Sequence, residues 1–365
     1  MSELPTYFND FLRNIRLTEQ LTAVLKKAHY ELRSRLETDE LTKGLLVDTF
    51  LQGSYARSTI VKPEAGGKVD VDVIAVTNID HENTTATEAF AKFIPFVKKY
   101  YDDFRPQKRS IGISLKNVDM DLVITAAPSE EVKRELRSAK LNGAFTVESI
   151  TSPENAYHLD AAAENSSLKK FFNLDDDDSA WRKEPLLIPD RDANEWYPTH
   201  PLEQIRWTMV KNKACNGHYI NVVKAVKWWK RKAMPENKYP KSYPLEHFIG
   251  DCCPDGISSV AEGIVKSFER ILLDYPEKPI LPDRGVQEHD VFESLSEEDY
   301  MSFYCSVEKY YPIAKKALES TNVAESVKLW REFFCGSEEF PEYRGGFTPR
   351  TQKTESVPTG RFGQP

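Results

Sequence analysis

The chain reads as an α+β protein, on three observations. Up to Ala126 it carries short β-branched runs set off by turn residues, as in LLVDTFLQ, VDVDVIAV and VDMDLVITA. From Pro201 the apolar residues recur at helical spacing instead, as in PLEQIRWTMVKNKAC and HYINVVKAVKWWKRK. Between these parts, residues 147–200 mix Pro, Asp, Asn and aromatic residues with no sustained period. Strands gathered in one half and helices in the other describe segregated layers.

Taken in order, residues 6–38 predict a spine helix. Leu21, Leu25, Ala28, Leu32 and Leu36 form one stripe, with Thr18 as N-cap and Glu19 in the first turn. Residues 45–52 predict a strand, and Gly53–Arg57 a turn that opens a short helix. Glu64–Lys68, with Gly66-Gly67, is a loop or hairpin tip. Asp70–Thr77 predicts a strand, and Thr87–Tyr101 an amphipathic helix with Phe90, Ile94 and Val97 on one side. Ile111–Ala126 supplies further strand. Residues 147–200 read as a partly ordered crossing segment. Its acidic run Asp175–Asp178 is a solvated loop, because consecutive carboxylates cannot all converge on one ion. Gly256–Leu273 and Glu297–Phe334 predict further helices. After Gly336 apolar content almost vanishes, and a disordered end is expected. The expected division is 1–200 for a core that includes the spine helix, 201–336 for a helical domain and 337–365 for the tail.

Composition narrows the class. The 365 residues, 40% hydrophobic and 29% charged, suffice for a sizeable core in one or two domains. No apolar run approaches the roughly 18 residues of a transmembrane helix. The start MSELPTYFND does not read as a secretory signal. The five cysteines lack zinc or disulfide spacing, which suits a reduced cytoplasm. A net charge of −8 argues against a grip on long nucleic acid.

The chemistry is concentrated in LQGSYARSTIVKPEAGGKVDVDVIAV. A Gly53-Ser54 turn follows a strand, and 17 residues beyond Gly53 the strand Asp70-Val71-Asp72 begins. Strand alternation sends Asp70 and Asp72 to one face and Val69, Val71 and Val73 to the other. Paired carboxylates repel unless a cation lies between them, and magnesium suits carboxylate oxygen and substrate phosphates. A third carboxylate comes from VDMDLVITA, where Asp119 and Asp121 share a face. Asp121, leading into Leu122-Val123-Ile124, is the first choice and Asp119 the reserve. Two magnesium ions, with manganese as a substitute, would serve phosphoryl transfer there. Glycine lets backbone approach phosphate, and Ser54 adds a hydroxyl. Gln52 and Arg57 lie nearby, and Arg57, which a surface position would also suit, is left out of the core site. His200, His218 and His247 read as structural.

The pattern Gly-Ser, Asp-x-Asp, Asp resembles the polymerase-β-like nucleotidyltransferases. GSYARSTIVKP, MDLVITAAP, LLIPDRDANEW, HPLEQIRW, CNGHYINVVKAVKWWK and KYPKSYPLEHFIG narrow the match to the bacterial CD-NTases, nearest their clade D (CdnD) members from CBASS anti-phage operons. The resemblance covers about residues 5–335. It implies a nucleotidyltransferase core with a mixed sheet, packed on a helical C-terminal half like that of oligoadenylate synthetase and cyclic GMP-AMP synthase. It implies a bacterial cytoplasmic enzyme that makes a cyclic di- or trinucleotide second messenger from ATP, with or without GTP. Clade D favours an adenine-rich trinucleotide, read by a downstream effector. It also implies roles in the basic stretch 211–241, whose lysines otherwise read as a solvated face. Lys227 would contact donor phosphates, Ser242 would touch them, and Tyr243 would stack on a base. The end VPTGRFGQP resembles tails on which a CBASS accessory protein acts, although Gln364-Pro365 extend past Gly363. Deleting residues 345–365 is expected to leave basal catalysis intact. Competing readings are an RNA-tailing or small-molecule adenylylating transferase, and a nucleotide-binding interaction module regulated through its tail.

Overall fold

In the computed structural model, which describes residues 2–141, 172 and 178–345, strand alternation is clearest in β2 (Val69–Thr77). Val69, Val71 and Val73 are buried there, while Asp70 is exposed and Asp72 partly so. β1 (Leu46–Gln52) pairs antiparallel with one side of β2, and β5 (Val118–Ala126) pairs parallel with the other. β4 (Ile111–Ser114) and β3 (Phe104–Pro106) continue from β5 in antiparallel fashion, giving the order β1-β2-β5-β4-β3. The sheet is therefore mixed. The run Ile111–Ala126, expected to supply further strand, supplies two strands that turn at Leu115–Asn117 and pair with each other. The crossing segment also holds more order than its composition suggests. β6 (Leu186–Asp190) and β7 (Glu195–Thr199) form a hairpin attached to the end of β5 through Ala126 and Leu187. Asp175–Asp177 lie outside the described residues. Asp178 is exposed and paired with Lys183 at 2.8 Å.

The expected spine helix is two helices, α1 (Pro5–Asn14) and α2 (Glu19–Thr38). Thr18 starts the second by accepting the Leu21 N–H at 3.2 Å. α2, α4 (Ala86–Tyr100, opened by a Thr85–Glu88 capping box) and α5 (Glu130–Leu141) share a core with the sheet. The next helices are short α6 (Ala180–Lys183), α7 (Pro201–Ala214), α8 (Tyr219–Ala233), α9 (Ser242–Cys252) and α10 (Val260–Asp274). The helix expected over Glu297–Phe334 breaks into α11 (Glu297–Glu319) and α12 (Val323–Phe333). The break falls where Asn322 accepts the Ala324 and Glu325 N–H groups as a new N-cap. Among the described residues no helix is long and apolar enough to cross a membrane.

Packing does not divide at 200/201. Leu202 and Ile205 of α7 belong to the sheet's core, whereas Leu4, Phe8, Phe11 and Leu12 of α1 belong to the core of the C-terminal helices. Nor does order stop at 336. Phe340 is fully buried, stacked on Phe334 at 5.4 Å and edge-on to Phe8 at 5.3 Å. Trp228 donates to the Ser337 hydroxyl at 3.0 Å. Residues 346–365 lie outside the described part. A chain stopped after Gly336 loses Phe340 and is expected to lose about 3–5 kcal/mol of stability. One stopped after Gly345 should unfold like the full chain, and thermal denaturation of the two truncations checks this.

Candidate active site

β2 and β5 run parallel in register, so Asp70 lies beside Asp119 and Asp72 beside Asp121. All four carboxylates share one face, because Val118, Met120 and Leu122 alternate with them into the core as the β2 valines do. Their charges work against one another. Burial, then Asp119 and Asp121, raise the Asp70 carboxyl above its usual range. Burial and Asp121 push Asp72 up to about 6. Burial also raises Asp121.

Local partners separate the two β5 candidates. Asp119 is neutralised by Lys68 at 3.0 Å and accepts the Ser114 hydroxyl at 2.6 Å. Asp121 has no such ion pair among the described residues. Its Oδ1 accepts from Gln107 Nε2 at 3.0 Å and from the Ser110 hydroxyl at 3.1 Å. Asp70, Asp72 and Asp121 thus stand on one face with no cationic side chain among the described residues bonded to any of them. Among the described residues no three His, Cys, Asp or Glu side chains are arranged as they stand to hold one metal ion together. The set is open and made only of oxygen donors. That fits a hard divalent cation that also takes substrate phosphates and water.

Gly53 is the first residue of the one-turn helix α3 (Gly53–Ala56), directly after Gln52, which pairs with Asp72. Its φ is +77°, and a Cβ there would lie 1.8 Å from Asp72 Oδ2. Glycine is required twice over, for the left-handed backbone and for the space against the carboxylate. The Ser54 carbonyl accepts the N–H groups of Thr59 and Ile60, which curls the chain behind the turn.

Arg57 is not a surface residue. It is 5% exposed, donates through Nε to Glu246 Oε2 at 3.0 Å, and holds its guanidinium 4.8 Å over the Tyr243 ring. Lys227 donates to Glu246 Oε1 at 2.9 Å and to the Thr59 carbonyl at 3.2 Å. Burial lowers the Lys227 ammonium, against the pull of Glu246. Burial would raise the Glu246 carboxyl, but Arg57 and Lys227 hold it at about 2. Ser242 opens α9. With Lys227 it lines a cavity of about 210 Å³ whose other cations are Lys230, Arg231, Lys238 and Lys241. Tyr243 donates its hydroxyl to Asp283 at 2.7 Å. Asp283 also accepts from Gln204 at 3.1 Å, and Gln204 in turn accepts from Gln52 at 3.4 Å. The Gly53 turn is therefore wired to Tyr243 on one side and to Lys227 on the other.

The histidines have other duties. His200 caps α7 by accepting the Glu203 N–H, and burial holds His247 down at about 3, hence neutral. Sequence reading missed Glu246 and Asp283, since their partners Arg57 and Gln204 lie 189 and 79 residues away. The one available signal was an acidic residue inside each of two otherwise apolar or turn-rich stretches.

An acidic sheet face with a glycine turn laid against it, and a buried lysine bonded at the end of that turn, is an arrangement for moving phosphoryl groups, and residues 1–130 match the family described as Second Messenger Oligonucleotide or Dinucleotide Synthetase domain. Over its whole length the chain is similar to two bacterial proteins. It is 43% identical to a Salmonella paratyphi B protein named "Probable cyclic AMP-AMP-GMP nucleotide synthase", covering 99% of this chain and 100% of that one. It is 41% identical to the cyclic AMP-AMP-GMP synthase of Enterobacter hormaechei, again over 99% and 100%. The fold is similar to that of the Vibrio cholerae di-nucleotide cyclase solved with ATP and GTP, with a TM-score of 0.62 at 15% identity over 91% of this chain and 95% of that one. The chain belongs to this family of nucleotidyltransferases, the cyclic oligonucleotide synthases.

Proposed function

We propose that the protein condenses ATP, together with GTP, into an adenine-rich cyclic trinucleotide that serves as a second messenger in CBASS anti-phage defence. The Gly53 backbone laid against Asp72, with no room for a Cβ, carries the catalytic part of this reading. It brings backbone that can take a triphosphate beside the carboxylates. The product assignment is supported by the names of the two full-length relatives.

Asp70, Asp72 and Asp121 would hold two divalent cations, magnesium or manganese, which when bound supply neutralising charge for the triphosphate and the developing alkoxide. The chain's own groups do the rest. Gly53 and Ser54 bind the donor phosphates through the turn. Lys227 and Ser242 add a cation and a hydroxyl from the other half, and Tyr243 stacks on a base. Asp121 orients the attacking ribose hydroxyl. Its Oδ1 is occupied by Gln107 and Ser110, while Oδ2 carries no hydrogen bond among the described residues. The hydroxyl passes its proton to Asp121 Oδ2 and its oxygen forms a bond to the donor α-phosphorus, the bond from that phosphorus to the β-phosphate bridging oxygen breaks, and pyrophosphate leaves. Repetition and a final intramolecular attack close the ring. An effector activated by the cyclic product, and an accessory protein acting on the tail, complete the proposed setting.

Incubation with all four nucleoside triphosphates and magnesium or manganese, followed by phosphatase treatment and mass spectrometry, tests the reading. A phosphatase-resistant trinucleotide of two adenylates and one guanylate is expected. Linear tails, or a product that forms only when an acceptor is added, would assign the protein to the RNA-tailing or small-molecule branch instead.

A further inference from the structure

Between the two halves lies a buried cluster of charge that substrate contact alone does not explain. Glu246 is 3% exposed, and both of its carboxylate oxygens are in use. Oε2 takes Arg57, from the turn that follows β1, and Oε1 takes Lys227, from α8. The Glu246 backbone carbonyl accepts the Tyr219 hydroxyl at 2.9 Å, which fixes this part of α9 against α8. Lys227 also reaches the Thr59 carbonyl, five residues beyond Ser54.

We propose that Glu246 is a positioning residue for donor-nucleotide binding, holding Lys227 at the foot of the Gly53-Ser54 turn and Arg57 over the face of Tyr243. This rests on the reading of Lys227 and Tyr243 as donor contacts given above. Among the described residues the charged groups around Lys227 are Glu246 on α9, Arg57 behind β1, and Lys224 and Arg231 on its own helix, with Glu246 the anion among them. Around Arg57 the charged groups are Glu246 and Asp72, with the Tyr243 ring over its guanidinium. Arg57 and Lys227 share the single carboxylate of Glu246, so positive charge is concentrated around it out of water. An arriving triphosphate meets that charge at full strength in a low-dielectric setting. Without the carboxylate, Arg57 and Lys227 would face each other unscreened. Lys227 would then lose its proton or leave Thr59 for the cavity lined by Lys230 and Lys241.

The test measures binding of a nonhydrolysable ATP analogue with magnesium by calorimetry, alongside steady-state kinetics and thermal unfolding, on the full chain and its Glu246→Gln, Glu246→Asp, Lys227→Met and Glu246→Gln/Lys227→Met variants. E246Q is expected to raise the Kd for the analogue and the KM for ATP by about tenfold, with a smaller change in kcat. E246D keeps the charge but withdraws it by one methylene, and should fall between E246Q and wild type. The double variant should lose less than the product of the two single losses, because part of the action of Glu246 runs through that lysine and only the Arg57 part is left to lose. A wild-type Kd in E246Q, whatever its melting temperature, overturns the proposal, as do losses that multiply in the double variant. If E246Q does not fold, a wild-type Kd in E246D overturns it equally. Wild-type protein that binds the analogue but makes no cyclic product would sink the product reading and leave this one standing. Failure of the wild type to bind would overturn both.

Discussion

The Asp72→Asn variant is expected to make no cyclic product and yet to be at least as heat-stable as wild type in metal-free buffer at pH 7.5. The two halves of this result share one cause. Asp72 is held among like charges on a partly buried face, which pushes its carboxyl up to about 6. In the unfolded chain it titrates near 3.9. A carboxyl raised on folding binds more protons in the folded state between those two values, so its contribution to stability falls as pH rises from about 4 to 6 and stays at its lower level above. Asparagine removes that cost, on the order of 1–3 kcal/mol. The difference between variant and wild type should therefore shrink as pH falls through the same window. Synthesis, in contrast, should drop by about a thousandfold or more, since a charge aimed at the transition state is gone. Added magnesium should raise the melting temperature of the wild type more than that of D72N. A D72N protein that is less stable at pH 7.5 than at pH 5 relative to wild type, or one that keeps its activity, would contradict the assignment. Unfolding curves across pH and product analysis decide between these outcomes.

The Gly53→Ala substitution should be nearly as damaging although it touches no charge. The new methyl would lie 1.8 Å from Asp72 Oδ2, and the φ of +77° is one that alanine resists. Either Asp72 turns away or the turn withdraws from the sheet edge. A displacement of about 1 Å at a phosphoryl-transfer site costs on the order of a hundredfold in kcat/KM. The expected result is that loss with cooperative unfolding retained, measured by initial-rate kinetics and circular dichroism. Gly66 is a fitting control. It also has positive φ, but a Cβ there would meet nothing within 4 Å, so G66A should show the backbone strain without the catalytic loss.

What could be read from residues alone follows from periodicity. Asp70 and Asp72 were legible because a strand of period two sorts carboxylate from valine with no help from the rest of the fold. Gly53 was legible as a turn, but its pressure against Asp72 depends on the Gln52–Asp72 pairing, which sequence does not display. Asp119 and Asp121 share a face, so alternation could not rank them; Lys68 does, by neutralising Asp119 from 51 residues away. Arg57 was misread because a lone arginine in a turn looks solvated until Glu246 is brought to it. The helix breaks near Ile15–Thr18 and Ser320–Asn322 were hidden because hydrophobic spacing runs on across both, while capping by Thr18 and Asn322 overrides it. The β6–β7 hairpin escaped because Pro189 and Pro198 mask the alternation of its strands.

The lodging of α1 in the C-terminal core carries a consequence for biogenesis. Phe8 and Phe11 of α1 pack against Phe334 and Phe340, from the opposite end of the described residues. The Ser2 N–H donates to the Leu318 carbonyl, fastening the same seam. The helical half can therefore finish its core only once both α1 and the segment up to Phe340 have been made. A fragment beginning at residue 201 would lack the piece that seals it, so the helical half cannot complete its core without α1.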